Sequence, residues 1–173
     1  KKFNASGIML LKEKEQINYE DLVSKYISNF PYHNVKIRNL LNQTSGIPDS
    51  YLDLAEKAKG KIGVLTNEKA IKLIIENKPK ANFEPNDQYE YSNTNYIALA
   101  RIIELVSNQS FENFMANNIF IPLGMNDTRV WNLISEDKTF KGKTDGFEDL
   151  AGEIREIKPT FIDGIAGDGG VFS

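Results

Sequence analysis

"EYSNTNYIALARIIELV", Glu90 to Val106, decides how this chain is read. Within it, Tyr96, Ala100, Ile103 and Val106 fall on one face, with Ile97, Leu99 and Ile102 beside them. That period predicts an amphipathic helix. Its shoulder is of another kind. Tyr91 and Asn93 stand two residues apart. On a helix such a pair points about 200° apart, whereas in an extended segment both side chains project the same way. Glu90 to Asn93 reads as the lead-in to the helix, so a phenol and a carboxamide are expected to share one space. A phenol can exchange a proton where a nearby cation favours its ionised form, and an amide both donates and accepts. A half-buried tyrosine followed by an asparagine cap would produce the same tripeptide.

Working outward, Phe3 to Lys14 predicts a helix with Phe3, Gly7 and Leu11 on one face and Ile8, Met9 and Leu10 widening the apolar surface. A helix apolar nearly all round is a buried one. No residue ahead of Phe3 caps it, so it is expected to be cut open at Lys1. "INYEDLVSKYISNFP" is turn-rich, and "VKIRNLLNQTSGIPDSY" predicts a short helix from Ile37 to Gln43, stopped by Gly46 and Pro48. Thr66 can cap a helix running to about Asn77, with Ala70, Leu73, Ile74 and Asn77 on one side. Pro79, Pro85 and Asn86-Asp87 mark a loop, and Ser110 can cap a helix through Asn118. Thr128 to Leu133 and Glu153 to Ile157 look like strands, and "FIDGIAGDGGVFS" reads as a loop. No internal repeat or domain linker interrupts the chain, so residues 1–173 are expected to be one domain.

With 173 residues, 40% hydrophobic and 26% charged, the chain can bury a core and has the balance of a globular protein. A net charge of -3 with no basic stripe argues against a nucleic-acid partner. The lack of cysteine excludes disulfides, thiolate metal sites and a Cys nucleophile. No apolar run is long enough to span a bilayer as a helix, because Arg101 and Glu104 interrupt the best one.

"YSNTNYIALARIIELVSNQSFENFMANNIFIPLGMNDT" resembles the segment of serine β-lactamases and penicillin-binding proteins that carries their Tyr-x-Asn motif. In the class C β-lactamase and D-alanyl-D-alanine peptidase branch a helix comes next, and then Pro-Leu-Gly-Met. "INYEDLVSKYI", "VKIRNLLNQTSGIPD" and "GIAGDGGVFS" are similar to that branch as well, with Gln43 where a His often stands. The resemblance covers almost the whole chain.

The resemblance implies an α+β, β-lactamase/transpeptidase-like fold. This chain would be mostly its α-helical part with a few short strands, lacking the main antiparallel sheet and truncated at both ends. These enzymes carry Ser-x-x-Lys at the start of a buried helix, where residues three apart are neighbours. "KKFNASGIMLL" fits the family's continuation of that helix, with Lys1 in the lysine slot and the serine three positions earlier; Lys2 in that slot fits Phe3 less well. The third motif, Lys-Thr-Gly or His-x-Gly, would come after Ser173. By this resemblance Lys1 and Tyr91 are catalytic and share the base role. Asn93 orients Lys1 and binds a substrate amide or carbonyl. No metal or cofactor is implied. The substrate would be a small molecule or a peptidoglycan-like one, and the setting a bacterial periplasm or cell envelope. Alone, the chain is expected to be inert, and its uncovered first helix to favour self-association.

Ser135-Glu136-Asp137-Lys138 spells Ser-x-x-Lys in a charged stretch with no apolar helix to position it, and Lys143-Thr144-Asp145-Gly146 nearly spells Lys-Thr-Gly among polar residues. Both read as solvated. His33, the single histidine, follows Pro31 in a loop and reads as a surface residue. Asp163 and Asp168 lack calcium-loop spacing, and the nearby glycines lack the ending of a phosphate loop. Two other readings stay open. One is a peptidoglycan- or ligand-binding module of the same fold without catalysis; the other is a helical interaction domain in which Tyr91 and Asn93 are structural.

Overall fold

The structure is a computed structural model and describes residues 1–134 and 146–172. Its centre is α5 (Asn93–Ser107). Around it pack α1 (Lys2–Glu13), α2 (Ile37–Leu41), α4 (Asn67–Asn77) and α6 (Phe111–Met115), while α3 (Tyr51–Lys57) lies on α4. A 3₁₀ turn at Val23–Lys25 precedes α2, and a π-helical turn at Ala116–Phe120 continues α6. Two small antiparallel pairs complete the described chain: β1 (Arg129–Val130) with β4 (Val171–Phe172), and β2 (Phe147–Leu150) with β3 (Glu153–Glu156).

The amphipathic expectation for α5 holds only in its last turns. From Thr94 to Ala100 every residue is buried, as are Ile102 and Ile103. A helix touched on four sides has no polar face to spare. α1 shows the opposite correction. Its sequence is apolar nearly all round, yet its packing is one-sided. Asn4, Gly7, Ile8 and Leu11 face inward, Phe3 packs edge-on against Phe120 at 5.1 Å between centroids, and Met9 is 53% exposed. Gly7 lets α1 come close. A Cβ there would lie 2.7 Å from Met115 Cε and 2.9 Å from Ile103 Cδ1.

The predicted caps of α4 and α6 form: Thr66 Oγ1 accepts from the Lys69 amide and Ser110 Oγ from the Asn113 amide. Several boundaries move. α2 ends at Leu41 rather than Gln43, and Asn77 is exposed rather than part of the buried face of α4. α3 is an addition to the expected elements; Tyr51 and Ala55, four apart, bury its inner side. The strand expected from Thr128 to Leu133 forms at Arg129–Val130, where it pairs with the two-residue β4 inside the glycine-rich segment read as a loop; beyond it the Trp131 and Leu133 amides bond on, to the Gly170 and Asp163 carbonyls. The strand expected at Glu153 to Ile157 forms to Glu156 and pairs with Phe147–Leu150, whose apolar residues stand at its two ends and do not alternate. The Ser135–Lys138 tetrad and Lys143 to Asp145 lie outside the described residues. His33 is exposed, as expected.

Candidate active site

Lys1 precedes the first residue of α1, and Asn93 begins α5. The two helix starts meet. Lys1 Nζ donates to Asn93 Oδ1 at 2.6 Å and to the Asp168 carbonyl at 3.1 Å. One turn further along both helices, Asn4 Nδ2 donates to the Tyr96 carbonyl at 2.7 Å and to the Gly167 carbonyl at 3.1 Å. A pair three apart on α1 thus docks on a pair three apart on α5 and on two successive carbonyls of the glycine-rich segment. Gly167 is what lets that segment approach, since a Cβ there would sit 2.8 Å from the Tyr96 carbonyl oxygen.

Tyr91 and Asn93 do project together. Ser92 is extended, at φ -143 and ψ 123, and its side chain turns inward and is fully buried. The Tyr91 hydroxyl donates to Asn93 Oδ1 at 3.1 Å, and Lys1 Nζ lies 4.9 Å from the Tyr91 ring centroid. One amide oxygen therefore receives both an ammonium and a phenol. Two details differ from expectation. Asn93 is already in the first turn of α5, and the cap position belongs to Ser92, whose side chain caps nothing.

The orientation of the Asn93 amide is fixed from its other end. Asn93 Nδ2 donates to Asp49 Oδ2 at 2.8 Å, and an ionised carboxylate can only accept. Asp49 Oδ1 takes the Thr94 amide at 3.2 Å, so a carboxylate from a distant loop serves the open N-terminus of α5. Asp168 is likewise part of the site. Its carbonyl holds Lys1 and its carboxylate accepts from the buried Tyr51 hydroxyl at 2.7 Å. Burial, and then the Asp168 charge, push the Tyr51 phenol far above its ordinary range, so it stays a donor. Tyr96, whose ring lies 5.6 Å from Lys1 Nζ, is also raised, by burial first.

Asp49, Tyr51 and Tyr96 are site residues that sequence reasoning misses, and for Asp168 it tests only a calcium role. No local spacing signals them. The partners of Asp49 and Tyr51 lie 44 and 117 residues away. A hollow of about 280 Å³ bordered by Tyr51, Trp131 and Asp168 adjoins the cluster. A larger hollow, about 810 Å³, lies between the loops at 29–35 and 78–85 and is lined by none of Lys1, Tyr91 or Asn93. Chemistry rather than size marks the site. Among the described residues no group of three or more His, Asp or Glu could hold a metal ion.

The starts of two helices thus bring an amine, a phenol and a carboxamide to one point, and comparison with known proteins gives the family. The profile of the beta-lactamase family matches residues 1–173, and the chain belongs to that family. It is 40% identical to penicillin-binding protein 4* of Bacillus subtilis, in an alignment covering 100% of this chain and 40% of that protein. Among solved structures it is similar to the octameric penicillin-binding protein homologue from Pyrococcus abyssi, with a TM-score of 0.78 and 30% identity over 98% of this chain and 39% of that one. It is also similar to the D-amino acid amidase from Ochrobactrum anthropi, with a TM-score of 0.60 and 27% identity over 74% of this chain and 38% of that one. The chain therefore spans less than half the length of the curated relatives it matches. The fold is the α+β one of that family, of which the described residues are the helix-rich part with only two small two-stranded sheets.

Proposed function

We propose that this chain is the helical central part of a serine hydrolase that cleaves an amide, a β-lactam or an ester through an acyl-serine intermediate. The observation that carries the proposal is the convergence of Lys1 Nζ and the Tyr91 hydroxyl on Asn93 Oδ1. In this reading the nucleophile is a serine three positions before Lys1 in the longer protein, on the face of α1 where i and i+3 are neighbours. Its oxygen bonds to the carbonyl carbon. Its proton passes to the Lys1 and Tyr91 pair and from there to the departing nitrogen or oxygen as that bond breaks. Water then attacks the ester, and the same pair returns a proton to the serine oxygen. Asn93 holds Lys1 with its oxygen, and the second N–H of its amide is the group offered to a substrate carbonyl.

The 40% share of the Bacillus relative's length supports a longer parent, and the Ochrobactrum relative, an amidase, supports an amide substrate. The setting proposed is a bacterial periplasm or cell envelope, with a peptidoglycan-like or other small-molecule substrate. Self-association is proposed as well, supported by the octameric state of the Pyrococcus homologue.

The test is covalent labelling of the full-length protein with a fluorescent penicillin and a chromogenic ester, followed by mass spectrometry of the labelled peptide. The proposal expects one adduct, on the serine three residues before Lys1, and none on residues 1–173 expressed alone. Removing such a nucleophile lowers turnover on the order of a millionfold. An adduct on a serine within residues 1–173 would overturn it. No adduct at all, together with tight reversible binding of a peptidoglycan fragment, would favour a binding module instead.

A further inference from the structure

Tyr91 is 52% exposed, so packing alone does not aim its ring. Its direction is set by its backbone, and that backbone is tied on both sides to one residue. Gln43 follows α2 in the left-handed region, at φ +61. Its main-chain oxygen accepts from the Glu90 amide at 3.0 Å. Its side-chain Oε1 accepts from the Ser92 amide at 3.0 Å and from Asn95 Nδ2 at 2.6 Å. The residues before and after Tyr91 therefore hang on a single glutamine, 6% exposed. A second tie lies behind it, where Asn95 Oδ1 accepts from the buried Ser45 hydroxyl at 2.6 Å.

The amide is used asymmetrically. Gln43 Oε1 carries two hydrogen bonds, whereas Gln43 Nε2 is buried with no partner. What this position supplies is an acceptor. Stranding the Ser92 amide would free the one link between Tyr91 and Asn93, and their alignment depends on that link being extended.

We propose that Gln43 is a positioning residue, which aims Tyr91 at Asn93 and Lys1 by holding the backbone on either side of it. This rests on the hydrolytic reading of the site. It differs from a role in joining α2 to α5, which would affect stability alone.

The experiment uses the full-length protein and three variants. Gln43→Met keeps the length and removes the acceptor. Gln43→Asn keeps the amide but falls one methylene short. Gln43→Glu keeps the acceptor and replaces the unpartnered Nε2 with a second oxygen; the charge it buries is offset in part by the two N–H groups that donate to it. Two readouts are taken: penicillin acylation kinetics and hydrogen exchange of the Ser92 amide. Gln43→Met is expected to lower the limiting acylation rate by about 100-fold, as misplacement of a reacting group does. The half-saturating concentration should change by less than about threefold, because ground-state binding is untouched. Exchange at Ser92 should rise by about tenfold or more while the amides of α4 keep their protection. Gln43→Glu should recover most of both.

Should Gln43→Met fail to fold, Gln43→Asn against Gln43→Glu makes the same comparison. A variant lacking the acceptor that melts earlier but acylates normally when folded would overturn the proposal, as would unchanged exchange at Ser92. If the unmutated protein takes no acyl group, the hydrolytic reading fails on its own account. The exchange comparison then still decides whether Gln43 holds the shoulder.

Discussion

The shoulder of α5 and the hairpin of β2 and β3 are both short and polar, and they are held in opposite ways. At the shoulder, Glu90, Ser92, Asn93 and Thr94 bond to Gln43, Asp49 and Lys1, residues 44 to 92 positions away. In the hairpin, Phe147 to Leu150 pair, among the described residues, with Glu153 to Glu156, and every residue of both strands is exposed. Its apolar residues do not gather. Phe147 and Ile154 share a face with Asp149 and Glu156, while Leu150 sits opposite Glu153. A polar segment becomes a site when distant partners fix its directions. One whose described pairing is local and whose residues are all exposed reads as a surface ribbon.

The contrast breaks first, if it breaks, at Asn93. Asn93→Ala in the full-length protein removes the common acceptor of Lys1 and Tyr91. It should lower acylation by about 1000-fold, equivalent to ~4 kcal/mol of barrier. Ile154→Ala should leave acylation unchanged under the same assay. Stability gives the next largest difference. Ile97, wholly buried in α5, should cost about 3 kcal/mol when cut to alanine, whereas Ile154, 77% exposed, should stay within about 0.5 kcal/mol. Urea unfolding midpoints measure both.

Two glycines differ between these regions in the same sense. A Cβ on Gly167 would meet Ala100 Cβ at 2.7 Å and the Tyr96 carbonyl oxygen at 2.8 Å. Gly167→Ala should cost about 2 kcal/mol from this overpacking and also loosen the carbonyl that holds Asn4. Gly152, at the hairpin tip, has open space and φ +94, so Gly152→Ala should cost only about 1 kcal/mol, from its backbone.

The smallest effect expected is a pH-dependent one. The Tyr26 hydroxyl, and then Lys25, hold the Asp21 carboxyl below its ordinary range against the opposing effect of burial. A depressed carboxyl stabilises the fold above the unfolded value of about 3.9, and that contribution is lost as pH falls through the folded value. Tyr26→Phe should cost about 1 kcal/mol near neutral pH, and the difference from the unmutated protein should shrink in acid. A difference constant from neutral to about pH 3 would contradict this.

Much of the architecture is legible in the sequence because it rests on local rules. Thr66 and Ser110 bond to amides three residues on, and Tyr91 and Asn93 need only the geometry of one extended residue. Lys1 is reached through the family resemblance alone, which implies it for the lysine slot of a motif with helical spacing. The rest depends on pairings the sequence does not index. Gln43 stands out in the sequence only as a departure from the family's histidine, since its bonds to Ser92 and Asn95 cross 49 and 52 residues. Asp49 looks like part of a Pro-Asp-Ser turn, although it replaces the cap that Ser92 does not provide. β1 is shorter than its sequence predicts because strand propensity does not say which residues find a partner; among the described residues Arg129 and Val130 pair with Phe172 and Val171.

The proposed reaction requires Lys1 and Tyr91 to act as one unit on the serine three positions before Lys1 in the longer protein. Acylation rates of the full-length protein carrying Lys1→Ala, Tyr91→Phe and both changes test it most directly. Groups that work as a unit are not additive, so each single change should cost on the order of 1000-fold or more, and the double change little beyond the worse single one. Losses that multiply in the double variant, or a single change that leaves the rate intact, would show that the two groups do not work as one.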